Sequence, residues 1–364
     1  MADAVSSREE QEETANRYPD RKKRILNAVF LAIVFVLTLY SVFRGEDLRG
    51  VLRAITRVNP WYLLPAVAGV IVFIWGESII IHYMLGTLDI YTRKWTCFQY
   101  SCVGFFFSAI TPSASGGQPM QIYYMRKKKI PVPVATLVLM IVTITYKMVL
   151  VFIGLFVVLF QRGFVHRYLE GILPIFYLGV GLNVACCISM SVLVFHSSLA
   201  KWIMLKGLAL LEHFHILKKK PERGRRLAAS MDQYNATAAY LGSHGRVIFH
   251  VMLITFFQRF ALFFVTWFVY LAFGLHGTSM YDVVMLQAIV SVSVDMLPLP
   301  GGMGISENLF LIIFRTVFAG GLLLPGMVLS RGIAYYVQLL FSAVMTAFLH
   351  LTIKETADER CCRR

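Results

Sequence analysis

Long apolar stretches separated by short polar segments make up most of the chain. Six of them contain roughly 20 residues or more, the length that an α-helix needs to cross a lipid bilayer. We predict that each forms one membrane-spanning helix, and we number these spans one to six in chain order. The six spans are residues 25–43, 61–85, 132–160, 172–195, 247–273 and 324–353.

Two further apolar segments are too short to cross a bilayer, and each stops at a cluster of proline and glycine. They begin at Cys97 and Val283, and each is followed by a second apolar arm. Short apolar segments that end at helix breakers are typical of re-entrant structures. We therefore predict two re-entrant helical hairpins, over residues 96–126 and 281–320.

The two hairpins divide the membrane region into similar halves. In each half two spans precede the hairpin and one follows it, and double glycines mark the hairpin tips at Gly116-Gly117 and Gly301-Gly302. The first half begins inside and the second outside, so the halves have inverted topology, which is a recurrent architecture of transporters. The predicted fold is an all-α integral membrane protein built as an inverted repeat. Repeat one covers residues 25–160 and repeat two covers residues 172–353.

Basic residues indicate which side of the membrane each loop faces, because short cytoplasmic loops carry an excess of lysine and arginine. Basic clusters precede span one, follow the first hairpin at residues 126–129 and occupy the polar insertion between spans four and five. If both hairpins return to the side they enter from, these clusters share one side, which we predict to be the cytoplasm. It would hold an N-terminal tail (1–24), an amphipathic insertion (197–245) and a C-terminal tail (354–364).

The loop after span one is the exception on the opposite side, because it contains several basic residues. Arg44, Arg49, Arg53 and Arg57 follow one another there, partly offset by two acidic residues. The charge rule is obeyed along the whole chain but is weaker in this loop.

Composition and charge argue against a soluble protein and against a nucleic-acid-binding one. The 364 residues are 57% hydrophobic and 15% charged, with a mean hydropathy of +0.66, so most of the chain must lie in lipid. The net charge of +15 comes from lysines and arginines between apolar runs, which favours anionic lipid as the partner. The six cysteines lack zinc-ligand spacing, and no G-x-x-x-x-G-K-[ST] string occurs. We therefore predict no metal and no cofactor.

Charged residues inside or beside the apolar runs are the candidate site residues. A charge placed in lipid costs about 2.5–3.5 kcal/mol on insertion scales, so each needs a partner or a function. The residues concerned are Glu77, Lys147, Arg259, Asp295, Glu307, Arg315 and Arg331.

Two interpretations of these charges stay open. In the first they form structural pairs, for instance Glu77 with Lys147 and either Asp295 or Glu307 with Arg331. In the second the cations face a polar cavity between the halves and neutralise a phosphate that passes through it. We favour the second for Lys147 and Arg331, which lie 30 and 29 residues after the double glycines. Arg315 is assigned a structural role near an interface, and the other six are predicted to bind a lipid headgroup.

The hairpin tips are a second candidate anion site. Ser115 is predicted to cap the returning arm of the first hairpin, with Gln118 as its capping-box partner, so that free N–H groups point toward mid-membrane. In the second hairpin, glycines permit close approach of a ligand to the backbone, and a serine begins the returning arm. The predicted tip residues are Ser115, Gly116, Gly117, Gln118, Gly301, Gly302, Gly304 and Ser306.

The two tip motifs carry a family resemblance. Residues 111–121 (TPSASGGQPMQ) and 297–307 (LPLPGGMGISE) resemble the transmembrane flippase region of lysylphosphatidylglycerol synthases, the multiple peptide resistance factors. The similarity covers roughly residues 25–353 and is closest to stand-alone members that have the membrane region only. Arg331 fits the family pattern, whereas Asp295 and the polar tip Ser113-Ala114-Ser115 depart from it.

The resemblance implies a multi-pass protein of the bacterial inner membrane with both termini in the cytoplasm. It implies a lipid translocase that moves an anionic, aminoacylated or phosphate-linked lipid between leaflets, with links to lipid metabolism and antibiotic resistance. Its partners would be membrane lipids and a separately encoded lipid synthase, and self-association stays open.

Two alternatives also stay open. One is a secondary transporter or channel for a small anionic solute. The other is phosphatidylglycerol lysyltransferase activity, which the family name suggests. In full-length family members that activity belongs to a soluble C-terminal domain, and we expect it to be absent from this chain.

Overall fold

The computed structural model describes residues 48–111, 114–195, 202, 206, 221–297, 304–318 and 321–361, all within a single compact unit, Leu48–Arg364. Span one, the N-terminal tail, the first part of the insertion, and Gly301 and Gly302 lie outside these residues.

Every regular element in the described residues is helical. We number the α-helices in chain order. They are α1 (Leu48–Thr56), α2 (Leu63–Thr87), α3 (Lys94–Ile110), α4 (Gly117–Lys127), α5 (Val132–Phe160), α6 (Arg162–Tyr168), α7 (Leu173–Phe195), α8 (Pro221–Ser243), α9 (Gly245–Ala272), α10 (Met280–Val294), α11 (Ile305–Ile313), α12 (Leu323–Arg331) and α13 (Gln338–Cys361). Short 3₁₀-helices precede α2 and α7 and follow α11, and a π-helix (Gly332–Val337) joins α12 to α13.

Five helical segments of the described chain are long and apolar enough to cross a membrane. They are Pro60–Thr87, Val132–Phe160, Glu170–Val194, Gly245–Ala272 and Leu323–His350. These segments coincide with predicted spans two to six, so the helical prediction is confirmed for every span inside the described residues. A multi-pass membrane protein follows from them.

The short apolar segments also form helices, and each pairs with the helix that follows it. Helix α3 has 17 residues and packs on α4, while α10 has 15 residues and packs on α11. Neither α3 nor α10 reaches the roughly 20 residues that a span requires. The links after them contain the proline and glycine clusters that the sequence showed.

Helices α2 and α9 cross in close contact at the centre of the bundle. A Cβ atom added to Gly69 would lie 2.8 Å from the carbonyl oxygen of Ala261, and one added to Gly76 would lie 2.7 Å from Cγ of Gln258. Small residues at a helix crossing let the two backbones approach, which is how membrane helices gain packing energy. The two glycines therefore set the spacing of this central pair.

Two buried cores in the described residues join several other helices to that pair. The first core contains residues of helices α2, α3, α4, α5, α8 and α9, and its members include Tyr100, Tyr234 and Val251. The other joins α2, α3 and α9 to the π-helix through Ile333. Helix α8 lies in the predicted insertion and buries Met231 as part of the first core.

The last helix extends beyond predicted span six. Residues 354–361 continue α13, so the segment predicted as the cytoplasmic tail begins as helix. Span six is in turn interrupted, because the π-helix separates α12 from α13. A π-helix within a span is rare and is often found at functional sites.

Candidate functional site

A polar cavity of about 530 Å³ lies where the two short helical pairs meet. Ala114 and Ser115, from the link between α3 and α4, line it together with Asp295, Met296 and Leu297, which follow α10. Helices α2 to α5, α7, α9 and α13 supply the rest of the wall. Its polar members are Glu77, Ser108, Ser115, Gln118, Gln121, Thr143, Tyr146, Lys147, Gln258, Arg259, Asp295 and Gln338.

Lys147 and Asp295 form an ion pair across this cavity. The Nζ of Lys147 donates to Oδ2 of Asp295, and it also lies 2.9 Å from Sδ of Met296. The two side chains are only 9% and 12% exposed. Because α5 belongs to predicted repeat one and Asp295 to predicted repeat two, the ion pair connects the two predicted repeats. The predicted pair of Glu77 with Lys147 is therefore wrong.

Arg259 is the second cation of the cavity, and it has an unsatisfied nitrogen. Its guanidinium carbon lies 3.3 Å from the ring centroid of Tyr146 and 5.0 Å from that of Phe73. Its Nε is buried without a hydrogen-bond partner in the described structure. A buried donor left unpaired is costly unless a ligand or water supplies an acceptor. Arg259 is thus the cation best placed to receive an anion.

Glu77 faces a neutral donor. The Nε2 of Gln121 on α4 lies 2.7 Å from Oε1 of Glu77 on α2. Gly104 on α3 makes room for this contact, since a Cβ there would lie 2.5 Å from Cδ of Gln121. Gln258, next to Arg259, donates to the carbonyl oxygen of Phe73 at 2.9 Å. Gln121 and Gln258, neither of which is a predicted site residue, therefore make the hydrogen bonds that fix this wall.

Comparison with known proteins shows the family. The family model described as the lysylphosphatidylglycerol synthase TM region matches residues 25–342. The chain belongs to this family. It also resembles the uncharacterized protein MG306 homolog of Mycoplasma pneumoniae, with 30% identity over 114 residues. That match spans 30% of this chain and 29% of the relative. Membership confirms the resemblance and relates the protein to the handling of membrane lipids.

Arg331 does not line the cavity. Its Nε donates to Oε1 of Glu307 at 3.0 Å, and Oε2 of Glu307 accepts from the backbone N–H of Gly304 at 2.7 Å. Gly304 has a φ of +84°, which suits glycine at the start of α11. Of the two predicted partners of Arg331, Glu307 is confirmed. This pair fixes the second tip to α12.

The different surroundings of Lys147 and Arg331 have a cause in the sequence. Glu307 lies on α11, so Arg331 finds a carboxylate in its own half. Helix α4, which the predicted repeat pairs with α11, has no carboxylate and carries Gln118, whose Nε2 lies 2.5 Å from Oγ1 of Thr143. Lys147 is therefore left to pair with Asp295 from the other half. Lys147 therefore borders the cavity, whereas Arg331 holds α12 against the second tip.

The remaining predicted site residues fall into two groups. Glu77, Lys147, Arg259, Asp295, Ser115 and Gln118 line the cavity, whereas Gly304, Ser306, Glu307 and Arg331 lie at the start of the second return and on α12. The predicted capping box in the first tip is wrong, since Gly116 precedes α4, Gly117 begins it, and no side chain caps it. Arg315 is exposed near the end of the second pair. The described residues contain no cluster of His, Cys, Asp or Glu that could hold a metal.

Replacing Arg331 by methionine should lower the free energy of unfolding by roughly 2–3 kcal/mol. Glu307 would keep its burial and lose its cation, and breaking a buried pair costs about 3–5 kcal/mol. The 19% exposure of Arg331 reduces that cost. Thermal unfolding of the purified protein in detergent measures the change.

Adding Glu307→Gln to Arg331→Met should restore most of the lost free energy of unfolding, because glutamine retains an acceptor for the backbone N–H of Gly304. Arg315→Met is the matched control at an exposed arginine. If Arg331→Met is no less stable than Arg315→Met, the pair does not hold the second tip.

Proposed function

We propose that this family member is a lipid translocase, which moves a phosphate-bearing lipid headgroup between leaflets through the cavity at Lys147 and Arg259. The observation that carries the proposal is the position of the cavity, which is lined by residues of both tip links at once. A polar site between two broken helical pairs suits a substrate that must leave one leaflet and enter the other. The acyl chains would stay in the surrounding lipid.

The arrangement of the helices supports an inverted repeat with re-entrant hairpins. Helix α2 packs on α9, as expected for equivalent helices beside a pseudo-twofold axis. The first arm of each hairpin contacts the last span of the other half, α3 against α13 and α10 against α5. The returning arms likewise contact the spans that follow them, α4 on α5 and α11 on α12. Each of these contacts in one half has its counterpart in the other.

The charges of the cavity favour a headgroup that carries both signs. Lys147 and Arg259 supply two positive charges, and Glu77 and Asp295 supply two negative ones. A phosphodiester can bind Arg259, while an ammonium group can bind Glu77 on the neighbouring wall. An aminoacylated phospholipid meets both requirements. A headgroup with phosphate alone would offer no cation to Glu77, whose hydrogen-bond partner in the described structure is the neutral Gln121.

Orientation follows from the basic residues. Arg126, Lys127, Lys128 and Lys129 lie at the same end of the bundle as the start of α5 and the end of α2. We assign this end to the cytoplasm of a bacterial inner membrane. The headgroup would then enter from the leaflet in which such lipids are made.

The experiment is an assay of headgroup accessibility in proteoliposomes. Fluorescent phosphatidylglycerol and lysyl-phosphatidylglycerol are compared for the unmodified protein, Arg259→Gln and the control Arg315→Gln. We expect faster transbilayer movement with the unmodified protein and with the control, greatest for the lysyl lipid, and much slower movement with Arg259→Gln. Absence of movement with every lipid, together with uptake of sulfate or phosphate, would instead identify a small-anion transporter.

A further inference from the structure

Four polar side chains recur along α13 at intervals of four residues, which places them on the same side of the helix. They are Gln338, Ser342, Thr346 and His350. We propose that this polar face of α13 is a hydrated path through which protons move between the cytoplasm and the carboxylate of Glu77 in the cavity. The use of the path in lipid transport rests on the proposed translocase, whereas the path itself does not.

The polar face leads from the cavity to the end of the bundle that is assigned to the cytoplasm. Gln338 lines the cavity. Nδ1 of His350 lies 3.2 Å from Oη of Tyr124 on α4, and Arg126 of the basic cluster follows Tyr124 by two residues. Between Gln338 and His350 an α-helix rises about 18 Å, slightly more than half of a bilayer core about 30 Å thick. The polar face is therefore long enough to connect the middle of the membrane with its surface.

The polar face points into the bundle. Ser342 and Thr346 are 0% and 7% exposed, and α13 packs on α3. The other side of the same stretch is apolar and exposed, with Leu340, Val344 and Phe348. Polar residues that serve a pathway in a membrane helix face the protein interior, because lipid would exclude water from them. The orientation of α13 thus suits a path inside the protein.

The two buried hydroxyl groups of this face have no hydrogen-bond partner in the described structure. They are Oγ of Ser342 and Oγ1 of Thr346. Serine and threonine within a helix commonly donate to the carbonyl oxygen four residues earlier, as Thr143 and Thr255 do. A buried hydroxyl group without a partner is costly, and water is the usual partner of such a group. Water along the polar face would satisfy both hydroxyl groups and form the chain that proton movement needs.

Helix α4 connects the two titratable ends of the path. Gln121 contacts Glu77, and Tyr124, three residues later on the same side of α4, contacts His350. The hydroxyl group of Tyr100 on α3 is likewise buried without a partner in the described residues, and Tyr100 belongs to the same core as Tyr124. The path therefore has polar groups on the helices that face α13 as well as on α13 itself.

A proton on Glu77 would compete with the ammonium group of the proposed headgroup. Protonation turns the carboxylate into a neutral carboxyl group, which has no charge to attract a cation. When the ammonium group binds, the proton leaves Glu77 for water and passes along the polar face to the cytoplasm, with the imidazole of His350 as a carrier near the surface. Because proton and ammonium exclude each other at one carboxylate, movement of the lipid in one direction is linked to movement of a proton in the other.

Variants of α13 can test the path without changing the charges around Glu77. Arg259 and Cys102 act on Glu77 from α9 and α3, and Lys147 and Asp295 line the same cavity. None of these groups lies on α13. At the other end, His350 faces Tyr124, and Nζ of Lys127 lies 5.7 Å from the centroid of that tyrosine ring.

Cysteine labelling tests whether water reaches the polar face. Ser342→Cys, Thr346→Cys and the control Val344→Cys are each made in the full chain after its six native cysteines are replaced by alanine. A small charged thiosulfonate reagent modifies the thiolate, which forms in contact with water and not in hydrocarbon. In proteoliposomes we expect modification of Ser342→Cys and Thr346→Cys and none of Val344→Cys, which lies between them in depth on the exposed side. A Ser342→Cys protein that stays unmodified would overturn the path.

The double variant Ser342→Ala with Thr346→Val tests whether the path carries protons, and it keeps the native cysteines. Movement of lysyl-phosphatidylglycerol and the internal pH, reported by pyranine, are followed in proteoliposomes with and without a pH gradient. With the unmodified protein we expect the gradient to change the rate of lipid movement and protons to move with the lipid. The double variant should lose both effects. The control Thr136→Val with Ser189→Ala removes hydroxyl groups that donate to their own helices, and it should keep both effects.

Two results would overturn the proton path and leave the translocase in place. One is lipid movement by the unmodified protein that does not respond to the gradient, and the other is an unchanged response in the double variant. Absence of lipid movement would instead overturn the translocase. Proton entry that is driven by the gradient and lost in the double variant would then still support the path, so the two proposals can fail separately.

Discussion

Replacing Lys147 alone by methionine is expected to lower the free energy of unfolding by about 3–5 kcal/mol and to stop lipid translocation. Asp295 would then remain in a buried position without its cation, which is the costly way to break such a pair. The pair also joins α5 to the segment after α10, so its loss loosens the contact between the halves. Thermal unfolding in detergent gives the stability, and the proteoliposome assay gives the transport rate.

The double variant Lys147→Met with Asp295→Leu separates the two effects. Apolar residues of similar volume can replace a buried ion pair at little cost, so stability should return to within about 1 kcal/mol of the unmodified protein. Transport should not return, because the cavity has lost half of its charges. A double variant as unstable as the single one would show that Asp295 is not the group that Lys147 compensates.

Arg259→Gln should reduce the translocation rate tenfold to a hundredfold while leaving the fold intact. A hydrogen bond to a charged group contributes about 1.5–3 kcal/mol, and each 1.4 kcal/mol corresponds to roughly a factor of ten. Glu77 still accepts from Gln121 in this variant, so the carboxylate keeps a hydrogen-bond partner.

Arg259→Lys is the matched control for Arg259→Gln, because it retains the charge and removes the planar guanidinium that stacks on Tyr146. It should be intermediate between the unmodified protein and Arg259→Gln. Transport by Arg259→Gln at the rate of the unmodified protein would remove Arg259 from the site. Unfolding of both variants at the same temperature as the unmodified protein would show that any loss of transport is not a loss of fold.

The helices were predictable from the sequence because length and hydropathy alone determine them. An apolar segment such as Val132–Phe160 has few alternatives to an α-helix in lipid, because every backbone N–H must find its hydrogen-bond partner within the protein. The short helices α3 and α10 were predictable for the same reason, since proline and glycine end them before they reach the length of a span. No such local signal marks the π-helix between α12 and α13.

The partners of the charged residues were only partly predictable. Glu307 and Arg331 lie on neighbouring helices of one hairpin and span, so their pairing follows from the local topology. Lys147 and Asp295 are separated by 148 positions and meet only because the two halves pack together. Which carboxylate reaches Lys147 depends on the packing angle between the halves, and sequence spacing carries no information about that angle.

Neutral residues of the cavity were missed because amides and aromatic rings are common in apolar helices. Gln121 was visible within the first tip motif, but its contact with Glu77 depends on where the fold places α4 relative to α2. Tyr146 precedes Lys147 and lies under the guanidinium of Arg259. A glutamine or tyrosine beside an intramembrane charge is the signal that would have identified both.

The π-helix at Gly332–Val337 has a consequence for how the length of this chain can vary. A π turn holds one residue more than an α turn. If that extra residue were removed, α12 and α13 would form one continuous α-helix, and their faces would keep the same relative orientation. Deletion of one residue elsewhere in the span would turn everything that follows by about 100°, and the face of α13 that meets α3 would be lost. Deletion of one residue inside the π-helix leaves that face in place. Family members whose span six is one residue shorter should therefore lack that residue within the π-helix.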